Sequence, residues 1–217
     1  LCCLIDALAF TFHNKWLVPF GALPMLCLIV FYVFGRKGEY KIKDYYYTLA
    51  LASAAIADFV FEFRSMTAKV ISMILFVFCF SFYIATIRGE VEKNTPLKEL
   101  VKIFVQLLLI VSPLFFVFSS IPTDYFFSSI IYMVFLSLLY INACLRQTNK
   151  SSYQWFLAGV LAFVSLTVTD IYFGFVIKMP CGDLINKILY QFAQYGIFVG
   201  VIKTHKNFYV TSTKNTA

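Results

Sequence analysis

Residues 67–87 read TAKVISMILFVFCFSFYIATI, and after Lys69 the next 18 positions carry no acidic or basic side chain until Arg88 closes the run. At about 1.5 Å of rise per residue, a helix of about 20 residues matches a bilayer core about 30 Å thick. Working outward, the same pattern recurs along the chain. Eight apolar runs, bounded by charge or by Pro/Asn/Gly clusters, cover about 1–13, 16–35, 45–63, 67–87, 100–119, 125–145, 153–177 and 183–202. The gaps between them are too short for a separate folded domain. The expected architecture is all-α: a polytopic membrane bundle of eight transmembrane helices, with residues 1–203 as one domain and 204–217 as a short polar cytoplasmic tail.

Composition agrees. Of 217 residues, 61% are hydrophobic, 19% aromatic and 13% charged, with a mean hydropathy of +0.81. A soluble domain carries about 25% charge, because its surface must face water. These counts also exclude a disordered chain, a collagen-like repeat and a disulfide-built secreted domain. The six cysteines form no CxxC pair and fall mostly in apolar runs, where a thiol behaves as a small hydrophobe. The first run is short and the chain opens at Leu1 with no basic stretch ahead of it, so the expectation is that residues precede it and that it is not a signal peptide.

The net charge of +7 points to orientation in a membrane, not to nucleic acid. Thirteen of the 18 Lys and Arg residues, among them Arg36, Lys43, Arg88, Arg146 and Lys203, lie in gaps after even-numbered runs or in the tail, and five lie on the other side. The positive-inside rule therefore predicts both termini in the cytoplasm. Pro19, Pro24 and Pro113 are expected to kink their helices. Trp16, Tyr45, Tyr46, Tyr47, Tyr153 and Trp155 are expected to be interface anchors.

Ionisable groups inside such runs are costly and mark candidate sites. Most acidic residues fall in gaps or at run ends; Glu62 lies within a turn of one end, beside Arg64, where snorkelling or pairing explains it. Asp6 lies in the poorly bounded first run, which leaves Asp58 and Asp170. They occupy the third and seventh runs, which point the same way, and both lie past the midplane. Ser53, Asp58 and Phe61 share their spacing with Ser165, Asp170 and Phe173, an echo that suggests duplicated halves. Two carboxyl groups meeting in a cavity of low dielectric can hold one proton between them, an acid beside a base. The eighth run adds Tyr190, Gln191, Gln194 and Tyr195, whose amides and hydroxyls can bind a substrate oxygen, position water, or join helices. The two histidines, His13 and His205, stand at run ends, so no three-histidine metal site and no Ser–His dyad can form within the runs. Neither a metal nor an organic cofactor is expected.

The order and spacing of four elements resemble those of the YhhN family of eight-helix membrane proteins, which includes the lysoplasmalogenases. The family's Lys-Pro-Leu at the start of its second helix is similar to Trp16-Leu17-Val18-Pro19 with Pro24 and Met25. Its small-residue–Asp pairs in the third and seventh helices resemble Ala57-Asp58 and Thr169-Asp170. Its Tyr-x-x-Ala-Gln element resembles Tyr190-Gln191-Phe192-Ala193-Gln194. One departure stands out: the family's Gly-x3-Phe-x3-His-x2-Tyr in the fourth helix meets Ser72, Phe76, Phe80 and Tyr83, so Phe80 replaces the histidine.

The resemblance implies hydrolysis of the vinyl-ether bond of a lyso ether phospholipid, with Asp58 and Asp170 as the acid/base pair. Tyr83, Tyr190, Gln191 and Gln194 would then bind substrate and stabilise developing charge. It equally implies an alternative, a non-catalytic member of the fold that binds lipid or serves in a larger membrane assembly. Expected partners are lipid and either a second copy of the chain or other membrane proteins, and the expected location is a bacterial inner membrane. A small transporter is disfavoured, since no Gly/Pro break lies beside either aspartate.

Overall fold

A computed structural model describes residues 21–205 apart from 37, 64, 93, 116–120, 176 and 178–181. The first apolar run, with Asp6 and His13, and also Trp16, Pro19, Arg64, Cys181 and the tail from 206 lie outside the described residues.

Seven helices form among the described residues: α1 (Leu23–Gly35), α2 (Ile42–Phe61), α3 (Met66–Ile87), α4 (Leu97–Phe115), α5 (Thr123–Cys144), α6 (Lys150–Phe175) and α7 (Gly182–Ile202). They match the third to eighth runs within a few residues at each end, and α1 covers the second run from Leu23 onward, residues 16–20 lying outside the described residues. The protein is an all-helical bundle. Three stretches, Met66–Glu90, Thr123–Cys144 and Lys150–Phe173, are long and apolar enough to cross a membrane. Among the described residues β pairing is limited to an isolated bridge between Val91 and Arg146.

Local chemistry sets the boundaries. Gly38, at φ +85°, turns the chain between α1 and α2, a conformation open to a residue without Cβ. Asp44 accepts the Lys41 N–H at 2.7 Å, satisfying a donor that the first turn of α2 would otherwise leave unpaired. Ser65 caps α3 by accepting from the Ala68 N–H, and Asn149 does the same for α6 through Ser152. Pro24 stands in the first turn of α1, where its missing N–H costs nothing, so the expected kink is not placed there. Pro113 does lie inside α4.

The closest seam joins α6 to α7. A Cβ built on Gly159 would come within 2.5 Å of the Ile197 nitrogen, one on Gly196 within 2.8 Å of the Gly159 Cα, and one on Gly200 within 2.6 Å of the Phe156 Cβ. Glycine at these three positions lets two backbones touch, as small-residue stripes do in membrane bundles. The α2–α3 pair packs nearly as closely and is tied by the Ser72 hydroxyl donating to the Ala57 carbonyl at 3.0 Å.

The bundle has an apolar core with a few buried polar groups, and its outer surface is apolar as well. Phe34, Leu97, Leu109 and Phe127 are more than two-thirds exposed, whereas Asp44, Ser152 and Gln194 are fully buried. Such a surface suits lipid and would be a liability in water. Tyr47 departs from expectation: its neighbour Tyr45 faces outward as an anchor would, but the helical turn between them carries Tyr47 to full burial.

Candidate functional site

The polar groups sort to the two ends of the bundle, and the expected site residues gather at the end where α2 and α6 finish and α7 begins. Asp58 stands in the last turn of α2, 6% exposed, and accepts a 2.7 Å hydrogen bond from the Tyr190 hydroxyl. Tyr190 in turn accepts from Gln194 Nε2 at 3.1 Å, and the Tyr83 hydroxyl donates to Gln194 Oε1 at 2.5 Å. Three helices thus contribute to one buried chain, Tyr83–Gln194–Tyr190–Asp58. The pair that faces inward on α7 is Tyr190 with Gln194, one turn apart. Gln191 lies a residue further round and is only half-buried.

Asp170 occupies the more open rim of the same end. Asn186 Nδ2 donates to Asp170 Oδ1 at 2.9 Å, and the Thr169 hydroxyl donates to Asn186 Oδ1 at 2.9 Å. Asn186 and Tyr190 are four residues apart on α7, so their Cβ atoms are about 6 Å from each other. One helix face therefore holds both aspartates, each through a different donor. Sequence reading singled out both carboxylates but passed over Asn186; its signal was an amide four residues ahead of Tyr190 in an apolar run.

A turn beyond Asp58, Glu62 accepts from Lys187 Nζ at 3.0 Å, with both side chains 9% exposed. Pairing was expected for Glu62, and the described partner is Lys187 across the bundle. Gly21 packs against this carboxylate so closely that a Cβ there would come within 2.8 Å of the Glu62 Cγ.

Beneath these polar groups lies an aromatic floor. Phe80 is fully buried, with ring centroids 5.2 Å from Tyr132 and 5.4 Å from Phe163, and Phe76 and Phe163 each stand 5.8 Å from Tyr190. Tyr132 accepts from Thr167 at 3.4 Å, and Thr167 also borders an apolar cleft between α4, α5 and α6 lined by Leu107, Val111, Met133 and Val164.

A YhhN family model matches residues 16–201, from ahead of α1 to the last turn of α7. The chain belongs to the YhhN family. No curated protein and no solved structure matches it. Within this YhhN chain, the position where the family's fourth helix carries histidine is Phe80, and its ring fills the aromatic floor. Ser72 and Tyr83, which frame Phe80 in the same motif, reach Ala57 beside Asp58 and Gln194 beside Tyr190.

The opposite end of this YhhN bundle is ionic. Asp44, fully buried, meets Arg36 at 3.0 Å and accepts from the Tyr32 hydroxyl at 2.5 Å, while Tyr32 also reaches His205 Nε2 at 3.2 Å. Burial pushes the His205 imidazole down to about 4, helped by Lys43 and Arg36 and opposed by Asp44 and Glu90. Although its Nε2 lies 3.4 Å from Asp44, His205 is therefore neutral near pH 7 and the contact is not an ion pair. Nearby, Arg146 donates to Glu90 at 2.6 Å and lies over the Phe156 ring at 4.6 Å, with Lys43 3.5 Å from the same carboxylate. Burial pulls the Arg146 guanidinium below its ordinary range, and Glu90 opposes that shift. The chain after α1, α3 and α5 meets here with the end of α7.

Among the described residues, no cluster of three His, Cys, Asp or Glu side chains could hold a metal ion.

Proposed function

We propose that this YhhN protein spans a bacterial inner membrane eight times, with both termini in the cytoplasm, and hydrolyses the vinyl-ether bond of a lyso ether phospholipid. Asp58 and Asp170 act as its acid/base pair. The observation that carries this reading is their common support: donors one turn apart on α7 hold both carboxylates at one end of an apolar bundle.

Vinyl-ether hydrolysis begins with proton transfer to the β-carbon, which leaves an oxocarbenium ion. Water adds to the α-carbon and gives a proton to the second carboxylate. The hemiacetal then collapses to a fatty aldehyde and a glycerophospho alcohol, leaving one proton on Asp58 and Asp170 ionised, and exchange with water reprotonates Asp170 and deprotonates Asp58 for the next turnover. Asp170, at the open rim, is placed to reach the lipid as acid. Asp58, fixed by Tyr190, is placed to activate the water. Tyr83, Gln191 and Gln194 provide the dipoles that meet developing charge.

The experiment is aldehyde release from an alkenyl lysophospholipid by the purified protein in lipid. Wild type should turn over, and Asp58→Asn and Asp170→Asn should each lose activity by at least a hundredfold. Retention in both variants would refute the pair.

A second reading is a non-catalytic lipid-binding or structural subunit of a membrane complex. The burial of Phe80 in the aromatic floor favours it, because the family's histidine is absent there. A wild-type protein that is inert on every ether lipid but copurifies with other membrane proteins in fixed ratio would support that reading.

A further inference from the structure

A file of buried hydroxyls runs down the bundle between its two polar ends. Asp44 and Asp58 stand 14 residues apart on α2, so about 21 Å of helix separates the ionic end from the aspartate site. Tyr32 touches Asp44 at one end, and Tyr83, Gln194 and Tyr190 lead to Asp58 at the other. Tyr47, three residues past Asp44 on α2, stands between Tyr32 and Tyr83. It is fully buried, its ring lies 4.6 Å from Tyr32 and 5.9 Å from Tyr83, and its hydroxyl has no hydrogen-bond partner among the described residues.

An unpartnered buried hydroxyl costs on the order of the desolvation of the group, about 1–3 kcal/mol, so such groups are normally satisfied by water. The Arg36 Nε at the head of the file is likewise buried without a partner among the described residues. The orphaned Tyr47 hydroxyl between two hydrogen-bonded ends, with a second orphaned atom at the head of the file, points to a wet path through an otherwise apolar interior.

We propose that Tyr32, Tyr47, Tyr83 and Tyr190 line a proton path through which Asp58 exchanges protons with the Arg36–Asp44 end of the bundle, water bridging the Tyr47 hydroxyl to its neighbours. At each step a hydroxyl or water accepts a proton on a lone pair and releases its own to the next acceptor, so no group changes charge overall. Between Tyr83 and Tyr190 the amide of Gln194 is the relay: its Oε1 accepts the Tyr83 proton while its Nε2 gives one to Tyr190, and the imidic acid so formed returns to the amide when the file resets. The titratable groups facing the file are Cys79 from α3, beside Tyr47 and Tyr83, and at its head Arg36, Asp44 and His205, with Lys43 and Glu90 behind them. Glu62 and Lys187 pair a turn beyond Asp58 and lie past the end of the path.

The test follows Asp58 itself and not turnover, so its failure is distinct from failure of the hydrolase reading. With the full chain in liposomes, infrared difference spectra after a pH jump report the carbonyl stretch of a protonated carboxyl, and Asp58→Asn identifies the band. Asp58 should respond when pH changes on the Arg36–Asp44 side, and Tyr47→Phe should slow that response at least tenfold while leaving its final extent unchanged. Tyr83→Phe should slow it as well and serves as the second variant if Tyr47→Phe does not fold. Equal rates in wild type and in the folded variants, a response only to pH on the Asp170 side, or no Asp58 band at all would each overturn the path.

Discussion

The Tyr190 hydroxyl donates to Asp58 at 2.7 Å across 132 residues of sequence, joining α7 to α2. This bond does two things: it satisfies a carboxylate that is almost wholly buried, and it fixes the direction in which that carboxylate points.

Removing the donor should affect both. Tyr190→Phe leaves Asp58 without this partner and should cost about 1–3 kcal/mol of stability, read from unfolding in mild detergent. Aldehyde release should fall at least tenfold, and the loss should appear in kcat more than in KM if Tyr190 acts by positioning the carboxylate.

The Lys187–Glu62 pair offers a separate test of electrostatics at the same end. Breaking a buried pair from one side leaves an uncompensated charge, which costs about 3–5 kcal/mol. Lys187→Met should destabilise the protein by about that much, Glu62→Gln should destabilise it less, and the double variant should be less destabilised than the two single effects added together. Additivity in such a double-mutant cycle would show that the pair contributes no coupling.

The glycine seam should resist even one methyl group. In Gly196→Ala the new Cβ would stand 2.8 Å from the Gly159 Cα and 3.1 Å from the Trp155 carbonyl oxygen, both backbone atoms that cannot rotate away. Overpacking of this kind costs about 1–3 kcal/mol, and thermal unfolding should report it. Gly89, with nothing within 4 Å, supplies the control: Gly89→Ala should leave the transition unchanged.

At the ionic end, His205 predicts how stability depends on pH. Its folded value of about 4 lies below the ordinary 6.5, so the unfolded chain takes up the proton more readily. The contribution of the neutral imidazole is fully present above about pH 6.5 and is lost as pH falls toward 4. Unfolding midpoints measured across that window should decline in wild type and decline less steeply in His205→Gln.

The helix runs were legible because burial in lipid demands unbroken apolar length, and that demand is written residue by residue, as in 70–87. Asp58 and Asp170 were legible for the converse reason, since a charge in such a run is conspicuous. Tyr47 was misread as an interface anchor because aromatic residues at a span's edge look alike in sequence; only the rotation of α2 separates outward Tyr45 from inward Tyr47. Asn186 and the Lys187–Glu62 pair were not legible as site residues, because their roles depend on which helices face each other across the bundle. Phe80 was visible as a departure from the family pattern, but its enclosure by Tyr132 and Phe163 required the packing.

The glycines of α6 and α7 carry a mechanical consequence. Because those two backbones lie in direct contact along Gly159, Gly196 and Gly200, Asp170 and the residues Asn186 and Tyr190 belong to one stiff plank. Asp58 belongs to another, made of α2 and α3, and between α2 and α7 it is long side chains, not touching backbones, that cross. The gap between the two carboxylates is thus a joint between planks. A lipid wedged there would adjust the spacing of acid and base by tilting one pair of helices against the other, without distorting either.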